Sequence, residues 1–429
     1  MSGGGGVPAR PVPALSARGA RIAAGVPGLL DGGFALYVAD PFDRERNPEG
    51  VVNLGTSENR LCFDLIEERV TLCMIVVVVW LPHSSVLNLN HRGGGVSVKE
   101  HLFCFFQITV MNGCCAVFAT LSTVLCDPGG DFPWKGTVCS CCILQLQFGV
   151  TAVSHCWFFF FQGIRVRVLV LINPNNPLGD IYPAQLLKEC LEFAHRHELH
   201  VIMDEIYMLS VYDDTTFTSV LSLDSLPDLE RTHFMWGFSK DFGMSGIRVG
   251  VLYTRNHEIQ KAVNQLAVFH SCPGPVQHIL TQVLKDRDWL DNVFFPTNKK
   301  RLKEAQNLLV DGLADIGIPV LKSSGGLFVW ADFRKFLKSQ TFEAELELWQ
   351  KLLDKKLLIS PGKAFYCHEP GWFRLVFSDS VDKIYLCKLV LLLIHHVVAC
   401  KLWKTLALQI MCSNLPIPSQ LARALLALV

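Results

Sequence analysis

A chain of 429 residues can bury a large core and is expected to hold two domains. Its 39 basic and 39 acidic residues balance, and no basic cluster appears, which excludes general nucleic-acid binding. Half the residues are apolar, yet the apolar runs at 72–81, 102–106, 156–161 and 386–398 all fall short of a bilayer span, the last being interrupted by Lys388, His395 and His396, so no membrane partner is expected.

Residues 1–33 read as a flexible leader rich in Gly, Pro and Ala, without the apolar stretch of a secretory signal. Reduced thiols and a cytoplasmic location are therefore expected for the 16 cysteines. Cys139-Ser140-Cys141-Cys142 has no matching pair at zinc spacing, so no metal site is expected. Residues 34–69 form the N-terminal part of a small domain. A strand is expected at 51–54, followed by the polar loop Gly55-Thr56-Ser57-Glu58-Asn59 and an apolar element beginning at Leu61, Phe63 and Leu65. The plain alternative for Ser57–Asn59 is a helix cap.

Residues 70–107 show no sustained period of 2 or 3.6 and read as an anomalous insert. Order returns with a strand at 109–111, a turn at Asn112-Gly113 and a helix at 116–126 with Val117, Leu121, Val124 and Leu125 on one side. Strand, turn and helix present backbone N–H groups to a phosphate. Here Cys114, Cys115 and Ala116 stand where hydroxyls are usual. Residues 131–162 are a second anomalous block. Phe103-Cys104-Phe105-Phe106-Gln107 and the four phenylalanines 158–161 before Gln162 are what a pyrimidine-rich tract ending in CAG encodes, the 3′ end of an intron. Both blocks, and the atypical apolar tail 388–429, are read as translated intron; the alternative is genuine apolar insertion.

From residue 165 the pattern is regular. An apolar strand at 166–172 suits a buried parallel sheet, and a turn-rich loop at 173–179 follows. Pro183 is placed as the first residue of a helix with Leu187, Leu191 and Ala194 on one stripe. Strands at 200–203, 234–236 and 247–253 complete an α/β sheet with ligand groups at strand ends. From 286, helices at 298–316 and 342–355 alternate with strands at 326–332, 357–360 and 372–378, a second domain of α+β type.

The chemistry centres on Lys240, between a strand and a glycine-rich loop, with Arg248 beyond it. A lysine can form an imine with an aldehyde and an arginine can grip a phosphate with its planar fork. Asp204 suits a pyridine nitrogen that must stay protonated, and Asn176 and Tyr207 suit a phenolate oxygen. Ser239 suits the phosphate, Arg374 an amino-acid carboxylate, and Lys240, once released, the alpha proton. Each has a bland alternative: Lys240 as solvated surface, Asp204 as a helix cap, Tyr207 as core, Arg374 as a surface ion pair. Residues 201–205 also look like an ATPase metal-binding strand. That reading needs an upstream Gly-x-x-x-x-Gly-Lys-[Ser/Thr] loop, and the sequence has none.

Four blocks carry a resemblance: Asn53 to Asn59 with Leu61 to Leu65; Asn173 to Gly179; Asp204-Glu205-Ile206-Tyr207; and Ser239 to Arg248, with Phe373-Arg374 near the C-terminus. Through them the chain resembles the fold-type I pyridoxal-phosphate enzymes of class I/II, and more closely the 1-aminocyclopropane-1-carboxylate (ACC) synthase-like proteins of animals. The resemblance covers about 40–69, 108–129 and 164–387. It implies an aspartate aminotransferase-like fold, with a three-layer α/β large domain at 108–285 and a smaller α+β domain completed by 286–387, parts of the large domain being missing or replaced. It implies pyridoxal 5′-phosphate as cofactor and Lys240 as the Schiff-base lysine. Asp204 would meet the ring nitrogen, and Asn176 and Tyr207 the phenolate oxygen. Ser239, Arg248, Cys114 and Cys115 would line the phosphate. Arg374, Gly55, Ser57 and Glu58 would meet the substrate. A homodimer with shared active sites is implied, acting on an amino acid by transamination or gamma-elimination, S-adenosylmethionine being the substrate of ACC synthases. The alternatives are a degenerate binding or interaction protein, or an aberrant gene-model product that does not form the site.

The chain departs from the family pattern. Residues 70–107 lack the tyrosine that reaches the neighbouring subunit's cofactor, and Asp131-Phe132-Pro133-Trp134 replaces the segment that stacks an aromatic ring on it. Ala116 replaces a hydroxyl and Gly237 a serine.

Overall fold

The computed structural model describes residues 28–75, 107–126, 143–145, 166–212 and 215–394. In chain order these give α1 (Leu29–Ala39), β1 (Val52–Asn53), α2 (Phe63–Ile75), β2 (Ile108–Met111), α3 (Cys114–Leu125), β3 (Ile143–Gln145), β4 (Val168–Ile172), α4 (Ala184–Arg196), β5 (His200–Asp204), β6 (Thr232–Gly237), β7 (Gly250–Thr254), α5 (His257–Ala267) and α6 (Gly274–Lys285). Then follow α7 (Phe295–Asp315), β8 (Phe328–Asp332), α8 (Phe342–Asp354), β9 (Leu357–Leu358), β10 (Ser360–Pro361), β11 (Trp372–Val376) and α9 (Val381–Ile394).

Strands β4 to β6 bury both faces, so each residue must find a core on its own side. Leu169, Leu171, Val201, Met203, Phe234 and Trp236 join one cluster with Leu187, Leu191 and Ala194 of α4 and Leu280 of α6. The intervening Val168, Val170, Ile172, Ile202 and Met235 join another with Val117 and Leu121 of α3 and Ile259 and Val263 of α5. The result is three layers: helices, a sheet and helices. The sheet order is β2-β7-β6-β5-β4-β3. β3 to β6 run parallel, and β7 runs antiparallel to both its neighbours.

A third cluster joins Val51, Val52 and Leu54 to residues of α7, α8, α9, β8, β9 and β11. There β10-β11-β8 form an antiparallel sheet, and β1 pairs in parallel with β9. Helix starts follow local chemistry. The Asn256 side chain caps α5 by accepting from Ile259 N at 3.0 Å, and Thr341 caps α8 by accepting from Ala344 N.

Several expected boundaries move. Pro183 is the cap before α4 rather than its first residue. The strand expected at 247–253 begins at Gly250, because Ser245–Ile247 form a 3-10 turn and Arg248 takes the left-handed conformation at φ +55°. α2 continues through residues 70–75, and Ile143–Gln145 inside the second irregular block pairs in parallel with β4. α9 crosses residue 387 without a break, because Leu389 and Val390 are buried in the third cluster. The leader to residue 27, the rest of both irregular blocks, Cys139–Cys142 and the tail after 394 lie outside the described residues. Among the described residues no helix is long and apolar enough to cross a membrane, and no group of three His, Cys, Asp or Glu is arranged to hold a metal.

Candidate active site

β5 and β6 deliver their last residues to one mouth of the sheet. β5 ends at Asp204, and β6 runs into a single helical turn, Phe238–Asp241, that carries Ser239 and Lys240. The loop expected around Lys240 is thus helical at the lysine itself. Its ammonium donates to the backbone carbonyl of Ser57, in the loop after β1. Burial, and then the positive charge of Arg374, pull the Lys240 pKa down to about 8, against the opposing effects of Glu58, Cys115 and Cys114.

Asp204 accepts from Ile206 N at 3.1 Å. Burial lifts its carboxyl to about 6, although that hydrogen bond and Lys240 both favour the anion. Tyr207 is 3% exposed; its hydroxyl shares a 3.2 Å hydrogen bond with Ser57 Oγ, and its ring meets Phe328 edge-on. Burial pushes the phenol up to about 12.

Arg374 enters from β11 and is 6% exposed. It donates to Gly55 O at 2.6 Å and to Asn176 Oδ1 at 2.9 Å. Its guanidinium lies 5.1 Å from the Phe328 ring centre and 4.7 Å from that of Phe365. Burial lowers it to about 10, and its buried Nε has no hydrogen-bond partner among the described residues. Glu58 is clamped by Arg60, whose Nε and Nη2 donate at 3.0 and 2.8 Å, while Ser378 Oγ donates to the Glu58 carbonyl at 2.8 Å.

The other wall is the start of α3. Gly113 precedes it at φ +84°. A methyl group at Gly113 would lie 2.4 Å from Arg248 Nη2, and one at Gly237 would lie 2.8 Å from Cys114 Sγ. Only missing side chains let the β6–β7 hairpin and the helix N-terminus close this tightly. Arg248 donates from Nη1 to Ser245 O at 2.9 Å, and Ser239, 7% exposed, accepts at its carbonyl from Ser245 Oγ at 3.0 Å. The Cys114 thiol is pushed well up by burial, then by Asp204; Arg248 and Lys240 oppose this, so all four groups act on one space. Cys115 is exposed on the first turn.

The sequence-derived set therefore comes together. Asn176, expected at a phenolate oxygen, also supports Arg374. One contributor escaped the sequence reading: Arg60, legible only as a charge two residues from Glu58.

A parallel-rich sheet with ligand groups at its strand ends, a lysine on the turn after one strand and an arginine-lined helix N-terminus define a class. The aminotransferase class I and II family model matches residues 161–388, and the chain belongs to that family. Within it the chain is similar to 1-aminocyclopropane-1-carboxylate synthase-like protein 1 of Bos taurus, 41% identical over 394 residues, covering 82% of this chain and 78% of the bovine protein. It is 41% identical over 391 residues to the human "Probable inactive 1-aminocyclopropane-1-carboxylate synthase-like protein 2", covering 82% of this chain and 68% of that one. An aspartate aminotransferase double mutant of Thermus thermophilus shares the fold with a TM-score of 0.67 at 19% identity, covering 89% of this chain and 100% of that one.

Proposed function

We propose that this chain binds pyridoxal 5′-phosphate and acts at the alpha carbon of an amino acid, by transamination or by elimination at the gamma carbon. The observation that carries the reading is Lys240: a buried amine, held to about 8, in a mouth shared with Asp204, Arg374 and the α3 N-terminus. The residues fit the cofactor. The Gly113 and Gly237 contacts form a cradle that a side chain would fill, and the buried Arg374 Nε has no hydrogen-bond partner among the described residues.

When bound, the cofactor supplies an electron sink for the carbanion left at the alpha carbon. Asp204 holds the proton on the ring nitrogen, and a cation opposite it restores the anion that burial disfavours. Tyr207 and Asn176 serve the phenolate oxygen. The first N–H groups of α3, Arg248, Ser239, Cys114 and Cys115 serve the phosphate. Arg374 orients the substrate carboxylate with a fork already fixed by Gly55 and Asn176. Lys240 holds and moves the alpha proton, and its depressed pKa keeps a usable free amine near neutral pH. Glu58 and Ser57 face the substrate side. A homodimer and a cytoplasmic setting belong to the same reading.

A second reading is a catalytically degenerate member that binds cofactor without turnover. It is favoured by the absence of any tyrosine between Tyr37 and Tyr182, and by the name of the human relative quoted above. Visible absorption of the purified chain with added pyridoxal phosphate, beside Lys240→Ala, tests the first reading. A protonated-imine band in the first sample alone supports it, and its absence from both overturns it. A band without turnover across a panel of amino acids selects the second.

A further inference from the structure

Asp241, one residue past Lys240, is fully buried. Its Oδ2 accepts from Trp236 Nε1 at 2.8 Å and from Leu209 N at 3.2 Å, and its Oδ1 accepts from Ser210 Oγ at 2.7 Å. All three donors are neutral. Burial lifts the Asp241 carboxyl to about 7 against these hydrogen bonds, so the group costs stability relative to a packed apolar residue. Trp236 belongs to β6; Leu209 and Ser210 belong to the turn after β5 that carries Tyr207. Ser210 is itself tied on both sides, its N–H donating to Tyr207 O at 2.9 Å and its carbonyl accepting from Gly326 N at 2.9 Å.

The turn Phe238–Asp241 is too short to hold itself as a helix, and glycines flank it at 237 and 243. Phe238 and Phe242 anchor it to the core, and its first residue is tied by Phe238 N donating to Val249 O at 3.2 Å. We propose that Asp241 is a positioning residue that ties the helical turn of Lys240 to the turn of Tyr207, and so fixes where the lysine amine stands. The inference rests on Lys240 being the reactive amine, but its test needs no cofactor. Lys240 is faced by Ser57 and Glu58 from the loop after β1, by Asp204 at the end of β5, by Cys114 and Cys115 of α3, and by Arg374 of β11. If the turn loosens, water reaches the amine and its affinity for a proton rises.

The experiment is trace acetylation of the full chain with acetic anhydride from pH 6 to 11, read peptide by peptide against surface lysines. In the parent chain the Lys240 midpoint is expected well below that of surface lysines, at about 8, because burial disfavours its charge. Asp241→Ala moves that midpoint up by about one pH unit, and Ser210→Ala moves it less in the same direction. Asp241→Asn leaves it in place, because the amide oxygen accepts from Trp236 and Leu209 while its N–H donates to Ser210 Oγ. The proposal is overturned if the parent midpoint is that of an ordinary lysine, or if Asp241→Asn shifts it as far as Asp241→Ala. It is also overturned if folded Asp241→Ala, or Ser210→Ala where the former does not fold, keeps the parent midpoint. A chain that passes this test yet shows no imine band separates the positioning role from the cofactor reading.

Discussion

The wall formed by β5 and β6 brings buried charge to the site, whereas the wall formed by α3 brings backbone. On the first, Asp204 and Lys240 are both held away from their ordinary pKa values by burial, and each charged form would gain from a ligand group of opposite charge. On the second, Cys114, Cys115 and Ala116 offer no hydroxyl, and Arg248 is the charged contribution that reaches it. For pyridoxal phosphate bound as proposed, the ring and imine side would therefore be specified by side chains and the phosphate side by close packing. Damage to the first should abolish chemistry, while damage to the second should weaken affinity in steps.

The largest effect is expected at Lys240. Lys240→Ala should remove the imine band and lower any turnover by at least about 10³-fold, measured by single-turnover kinetics. Gly113→Ala breaks the other wall. Its methyl group meets Arg248 at 2.4 Å on a left-handed backbone, and cofactor affinity should fall about tenfold or more, with about 1–2 kcal/mol lost in denaturant unfolding. Gly246→Ala is the control, since a methyl there meets nothing within 4 Å, and it should stay within about 0.5 kcal/mol of the parent. Cys115→Ser adds a hydroxyl to the phosphate wall and should tighten cofactor binding by up to about tenfold in equilibrium titration.

The smallest effects are on stability without cofactor, and they run against function. The Asp204 carboxyl is raised from 3.8 to about 6, so its contribution to stability is full below pH 3.8 and is lost as pH rises through 6. Lys240 is lowered from 10.5 to about 8, so its contribution is full above 10.5 and is lost as pH falls through 8. At pH 7 both are unfavourable. Asp204→Asn and Lys240→Met should each stabilise the cofactor-free chain by about 1 kcal/mol in thermal unfolding, and each should weaken cofactor binding.

Much of the site was legible because its residues sit at strand ends that apolar runs announce. The runs before Asp204 and Lys240 required buried strands, and burial decided the layers. What stayed hidden depends on distant partners. Nothing local to Asp241 predicts Ser210 and Trp236 as its donors. Nothing local to Arg248, left-handed just before β7, predicts that its guanidinium closes on Gly113, far away in sequence. α2 and α9 run past residues 69 and 387, where the regular reading of the sequence stopped, because both helices continue into stretches whose apolar residues show no clear period.

The antiparallel placement of β7 has a further consequence. Gly237 pairs with Gly250 across the β6–β7 hairpin, so Lys240 and Arg248 lie on one closed connection between two registered strands. Their spacing is therefore a ruler of fixed length. Arg374 arrives from the separate three-stranded sheet and can shift with it without changing that spacing. An insertion or deletion between 238 and 249 would leave the β6–β7 register in place and would instead displace Lys240 relative to Arg248. Length variation among related chains should collect almost anywhere else before it enters this connection.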